Sequence, residues 1–220
     1  MRVQSMLCLI TNRRRLLSAL QRQDASWPEV LFEQLRGAMA GGIDLIQIRE
    51  PDIEPARLAD IARRATALAE GTRTRIVVND RLDVALAAAT GVHLREDGIA
   101  PARARAISPA LLIGQSVHGI ESVRRSAGAD YLIAGTVFET VSKPGVALLG
   151  VNGLAAIVEA AASCPVLAVG GVTVENLTAI RLTGAAGIAA IGAFVPEGQV
   201  SDLAAAVQIL TKTLRNAFDS

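Results

Sequence analysis

Four stretches of this chain carry side chains suited to chemistry: "QIREP" at 47–51, "VVNDRLDVAL" at 77–86, "IGQSVHG" at 113–119 and "AVGGV" at 168–172. Gln47 and Arg49 alternate, so an extended backbone sends both to one side, where Arg49 supplies a fixed positive charge for a carboxylate or phosphate. Asn79 and Asp80 stand directly before a helix-like segment. Asp80 either caps that helix or faces a cavity, where its carboxylate suits a Mg²⁺ ion or a substrate amine. Asp83, inside the segment, reads as structural. His118 is one of two histidines in the chain, and imidazole titrates close to neutral pH, as a general acid or base must. The other, His93 in "GVHL", reads as structural. Gly170 and Gly171, with Gly192 in "AIGAF", let backbone N–H groups approach an anion. A Gly–Gly pair alone is a weak signal of this.

The elements that must position these residues alternate along the chain. Short aliphatic runs fall at Met6–Thr11, Ile43–Ile48, Arg75–Val78, Val92–Leu94, Leu111–Gly114, Tyr131–Ala134, Val166–Val169 and Gly187–Ile191. Helical patterns follow them at Trp27–Ala40, Glu54–Glu70, Arg81–Ala89, Pro101–Ile107, Ile120–Ala127, Asn152–Ala162, Val174–Leu182 and Ser201–Ala217, with Asn152 and Ser201 as candidate caps. Leu58, Ile61, Ala62, Ala65 and Leu68 keep a 3.6-residue period. The runs are apolar on both faces, as buried parallel strands are. Eight such units in 220 residues predict an α/β fold, a single-domain (β/α)₈ TIM barrel over 1–220, with a doubly wound open sheet as the alternative. In a barrel the candidate residues above, with Thr11, Arg95, Asp97, Ser116 and Thr136, all sit at strand carboxyl ends. A purely structural account would leave buried, unpaired polar groups there, at about 1–3 kcal/mol each. Two connections are long. Asn12–Ser26, with "NRRRLL", reads as a solvated loop or short helix with its arginines in water. Gly135–Gly150 is a Gly/Pro/Ser/Thr-rich loop placed to lie over the active site.

Composition narrows the function. The chain is 51% hydrophobic and 3% aromatic with net charge +1, which gives nucleic acid or an anionic membrane no global attraction. No apolar run approaches the ~18 residues of a membrane span, and no signal peptide is evident, so a cytoplasmic location is expected. Cys8 and Cys164 form neither a metal spacing nor a disulfide framework, and Cys164 reads as a small core residue.

Taken in order, "IQIRE", "VVNDRLDVAL", "GVHL", "IGQSVHG", "ADYLIAGTVFETVSKPG", "PVLAVGGV" and "GAAGIAAIGAF" resemble the thiamin phosphate synthase/TenI superfamily, from Met6 to Phe194. The resemblance implies a (β/α)₈ barrel, a step in thiamin biosynthesis, a small phosphorylated thiazole substrate, and a homodimer or homotetramer. The superfamily holds two chemistries. Synthases join a pyrimidine pyrophosphate to a thiazole phosphate with Mg²⁺; TenI-type proteins aromatise a thiazole carboxylate phosphate by moving one proton, without metal.

Against the synthase, that branch resembles "QxREK", whose lysine faces the departing pyrophosphate, and here the position is Pro51. It also resembles "GVHLGQED", whereas "GVHLREDGIA" puts Asp97 one residue early. A leaving pyrophosphate gathers negative charge, so losing a cation and a metal ligand is costly. "SVH" and "VFET" look closer to TenI, which implies His118 as the acid/base, although Thr136 stands where TenI often has a histidine. One base reaching two carbons suffices for a proton shift. The expectation is therefore a TenI-like thiazole tautomerase, an isomerase needing no cofactor. In it His118 moves the proton, and Gln47, Arg49, Asn79, Ser116, Thr136, Thr140, Ser142 and Lys143 contact substrate. Gly170, Gly171 and Gly192 hold its phosphate. The first alternative is the synthase, a transferase with Mg²⁺ on Asp80 and Asp97; the second is a non-catalytic barrel that binds a thiazole phosphate.

Overall fold

Alternation within each strand decides the architecture. In β1 (Met6–Ile10), Leu7 and Leu9 pack outward into one apolar cluster, while Cys8 and Ile10 belong to a second, smaller one. The smaller cluster adds Leu45, Tyr131, Ile133, Leu167 and Ala189, and it fills the inside of a ring. The ring is a closed parallel barrel, met in chain order: β1, β2 (Leu45–Ile48), β3 (Arg75–Asn79), β4 (Gly91–Leu94), β5 (Ile113–Val117), β6 (Tyr131–Ala134), β7 (Val166–Val169) and β8 (Gly187–Ala190). β8 returns to β1 with Met6 opposite Gly187. This is the expected single-domain (β/α)₈ barrel, described here by a computed structural model over residues 5–22, 27–140, 145–198 and 200–220.

The outer shell holds most of the burial energy. In α3 (Pro55–Ala69), Leu58, Ile61, Ala62 and Ala65 are buried on the predicted stripe, and Leu68 packs partly buried beside them. A fully buried leucine or isoleucine contributes about 1.5–3 kcal/mol relative to exposure. The helical ring closes as the strands do. α2 (Trp27–Ala40) packs on α9 (Leu203–Asp219), where a Cβ on Gly37 would lie 2.3 Å from the Ala204 carbonyl oxygen. Further helices are α4 (Leu82–Ala87), α5 (Pro101–Ile107), α6 (Ile120–Arg124), α7 (Gly150–Ala161) and α8 (Leu177–Leu182), the last preceded by a 3₁₀ turn, Val174–Asn176. Among the described residues, no helix is long and apolar enough to cross a membrane.

Several local expectations are corrected. β5 starts later than Leu111, because its pairing sets Ile113 beside Val92 and Tyr131 beside Gly114. Asn152 lies inside α7, and α9 is capped by Asp202, whose side chain accepts from the Ala205 N–H at 2.9 Å, not by Ser201. Asp80 does not cap α4: it takes a left-handed backbone with φ of 60°, and Arg81 is the residue at the helix start. The first connection contains a helix, α1 (Arg13–Ala19), capped by Asn12 through its side-chain oxygen. Its arginines are not simply in water. Arg13 pairs with buried Glu50 at 3.0 Å and with Asp52 at 2.6 Å, and its guanidinium stacks 5.0 Å from the Trp27 ring centre.

Candidate active site at the carboxyl end of the barrel

A cavity of about 890 Å³ opens where the strands end. Its wall includes Gln47, Arg49, Asn79, Ser116, Thr136 and Thr140, and the three glycines Gly170, Gly171 and Gly192. The alternation of "QIREP" works as expected: Gln47 and Arg49 face the cavity, while Glu50 turns away to Arg13. Burial pushes the Glu50 carboxyl up, and Arg13 holds it in place. Gln47 donates from Nε2 to Asn79 Oδ1 at 2.8 Å, which leaves its buried Oε1 with no protein partner. Buried acceptors without a partner cost stability, so this one is set for a donor on a ligand. Thr11 Oγ1, fully buried, accepts from the Arg49 N–H at 2.9 Å and steadies the strand end that carries the guanidinium.

The turns after β7 and β8 are shaped by glycine. Gly170 has φ of 101° and Gly171 of 62°, a left-handed pair that side chains disfavour. A Cβ on Gly171 would sit 2.4 Å from the Glu139 carbonyl oxygen, so the loop that follows β6 comes down directly on this turn. That loop is tied by Leu149 N–H to Thr136 O at 2.8 Å and Val137 N–H to Val169 O at 2.9 Å. Ser142 and Lys143 lie outside the described residues.

The two histidines exchange their expected places. His93 lines the cavity, with Nε2 3.0 Å from Ser116 Oγ and Nδ1 3.3 Å from the Tyr131 hydroxyl. Burial pushes its pKa down to about 3, so the ring is neutral at physiological pH. His118 is not among the described residues lining the cavity. Its ring is exposed and its Nδ1 pairs with Glu96, which also meets Arg125 at 3.2 Å. The signal for His93 was available: Val92 and Leu94 pack outward in β4, so the residue between them points into the barrel. Arg15 and Glu139, which also line the cavity, carry no such signal, because their placement depends on how two loops close.

Asp80 follows Asn79 and comes within 3.5 Å of Arg95 Nε, and the same guanidinium binds Asp97 through two bonds at 3.0 and 2.9 Å. Arg95 holds the Asp97 carboxyl below its usual range. Both carboxylates meet one guanidinium; their oxygens are the ligand type Mg²⁺ takes, one or two at a time, with water and phosphate oxygens completing its shell. Among the described residues no set of three or more His, Cys, Asp or Glu could hold a metal unaided. A second cavity, about 580 Å³, lies at the opposite end of the barrel near Arg75, Gly91 and Leu112, away from these groups.

Comparison with known proteins agrees with this geometry. A family model described as thiamine monophosphate synthase matches residues 17–194. This chain belongs to that family. A thiamine-phosphate synthase of Pyrococcus abyssi is 37% identical over 194 residues, covering 87% of this chain and 91% of that one. One of Methanoregula boonei is 41% identical over 193 residues, covering 84% and 86%. The solved thiamine phosphate pyrophosphorylase of Pyrococcus furiosus superposes with a TM-score of 0.79 at 32% identity, covering 99% of this chain and 97% of the other. The chain is thereby placed in thiamin biosynthesis. These relatives correct the isomerase expectation: they carry the name of a transferase, and the histidine on which a tautomerase depends stands outside the cavity.

Proposed function

We propose that this chain is a thiamin phosphate synthase, which joins hydroxymethylpyrimidine pyrophosphate to a thiazole phosphate in the cytoplasm and releases pyrophosphate. The observation that carries the reading is the make-up of one cavity. It combines a buried free acceptor at Gln47, a guanidinium at Arg49 and a glycine turn at Gly170–Gly171 within about 890 Å³. That volume lies at the upper end of single-ligand pockets and suits two small substrates side by side.

The reaction forms a bond from the thiazole nitrogen to the pyrimidine methylene carbon as that carbon's bond to the pyrophosphate oxygen breaks. The oxygen keeps the electron pair, and the thiazole becomes a cation. Arg49 stands where negative charge gathers on the leaving group, and Gln47 Oε1 accepts an N–H from the pyrimidine. Neutral His93 and Ser116 bound the ring pocket without placing a charge against the new cation. Backbone N–H groups of Gly170, Gly171 and Gly192 take the thiazole's phosphate, with Thr136 and Thr140 beside them. Asp80 and Asp97 would hold Mg²⁺, which when bound offsets charge on the pyrophosphate.

Incubation with both substrates and Mg²⁺, followed by chromatography, should yield thiamin phosphate, and chelation should stop it. Arg49→Ala should cut turnover by about 100-fold or more. Pro51 is exposed where the synthase pattern has lysine, so Pro51→Lys should raise turnover. No product, with thiazole phosphate still bound, would make the barrel a non-catalytic binder.

A further inference from the structure

The turn after β8 is not walled by backbone alone. Gly192 opens a short 3₁₀ turn, Gly192–Phe194, and its backbone is not in the left-handed region, so conformation does not explain the glycine. Space does. A Cβ on Gly192 would sit 2.3 Å from Arg15 Nη2 and 2.8 Å from Arg15 Cζ. The missing side chain lets a guanidinium lie on the turn, and both residues line the cavity with Gly170 and Gly171.

Arg15 is held there from both sides. Asn12 Oδ1 accepts from its backbone N–H at 3.0 Å, Leu16 behind it is 1% exposed, and Arg13 ties the helix start to Glu50 and Asp52. The charged side chains among the described lining residues are Arg15 and Arg49, with Glu139 and Glu197 against them. Without Arg15 that wall would turn a net negative face to a phosphate. Backbone N–H groups offer only partial charges, whereas a guanidinium offers a full charge and a two-pronged grip on phosphate oxygens.

We propose that Arg15 is a specificity-determining residue of the phosphate site, binding the monoester phosphate of the thiazole substrate together with the glycine turns of β7 and β8. The proposal rests on the synthase reading. It assigns to α1, an addition to the eight-unit barrel, the choice between a phosphorylated thiazole and its free alcohol.

The test is Arg15→Gln, with Arg15→Lys as the conservative partner and thermal melting to show that both fold. Arg15→Gln should raise the KM for thiazole phosphate about 10- to 100-fold, the range of a lost hydrogen-bonded charge. The KM for the pyrimidine pyrophosphate should stay within about twofold, and preference for the phosphorylated thiazole over its alcohol should fall by the same factor as the first change. Arg15→Lys should recover part of the loss. Calorimetric titration with thiazole phosphate alone should show the same weakening. If wild type forms thiamin phosphate and Arg15→Gln leaves the thiazole KM unchanged, or raises both KM values together, the proposal is wrong. If wild type forms none, the synthase reading fails separately, and Arg15-dependent titration still decides this assignment.

Discussion

The barrel wall at β4–β6 and the loop rim just above it hold one histidine each, in different solvents. On the wall, His93 is enclosed by Ser116 and Tyr131, and Tyr131 fits only because Gly114 opposite has no side chain; a Cβ there would meet the ring at 2.1 Å. On the rim, the half-buried Glu96 carboxylate lies between the exposed side chains of His118 and Arg125. The wall is neutral and close-packed, so its chemistry is positional. The rim is charged and wet, so its ion pairs exchange readily with water and salt. Proximity to a strand end does not by itself place a side chain in the cavity: His93 lines it and His118 does not.

The sharpest way to break this contrast is to overfill the wall. Gly114→Ala should drive a methyl into Tyr131 and cost about 3 kcal/mol or more, lowering Tm by about 6–12 °C for a chain of this size. A melt unchanged within 2 °C, on the order of the smallest such shift, would show that the wall is loosely packed. Acid tests the wall next. His93 has a folded pKa of about 3 against 6.5 as the ordinary value. Between these pH values the unfolded chain takes up a proton that the folded chain refuses. Stability therefore falls as pH drops below 6.5 and levels off near 3, by about 1.4 kcal/mol per pH unit. Urea unfolding at pH 7 and pH 5 should differ by roughly 2 kcal/mol more in wild type than in His93→Gln. The rim should give the smallest effects. His118→Ala should keep thiamin phosphate formation within about twofold, and a double-mutant cycle with Glu96→Ala should return a coupling under about 1 kcal/mol. A hundredfold loss of turnover in His118→Ala would overturn the division between wall and rim.

Legibility followed the same line. The eight strands could be read because each is a short, mainly aliphatic run buried on both faces, which only a parallel barrel or sandwiched sheet provides. Gln47, Arg49, Asn79, Ser116 and the glycines could be found because strand alternation and a common carboxyl end locate them without tertiary detail. His118 misled for a physical reason: two residues past Ser116, it stands beyond the end of β5, where alternation no longer dictates direction and Glu96 draws the ring outward. The inward direction of His93 is legible in the period-two pattern of β4, where Val92 and Leu94 pack outward. Arg15 was out of reach, since nothing local says that α1 will lay its third arginine against Gly192. The choice between transferase and isomerase turned on relatives, because Pro51 and the early Asp97 point away from the chemistry the relatives are named for.

Ring closure has a consequence in time. Met6 pairs with Gly187, and α9 returns to the first strand through Arg215, which donates to the Ser5 carbonyl and to Asp44. During synthesis β1 leaves the ribosome with one edge waiting for a strand about 180 residues away, a delay of roughly 10–40 s at ordinary elongation rates. Through that interval Gln47, Arg49 and Asn79 already exist, but the turn that carries Gly192 does not. A nascent or truncated chain thus has only part of the cavity wall, and on the proposed reading substrate capture begins only when the last strand shuts the ring.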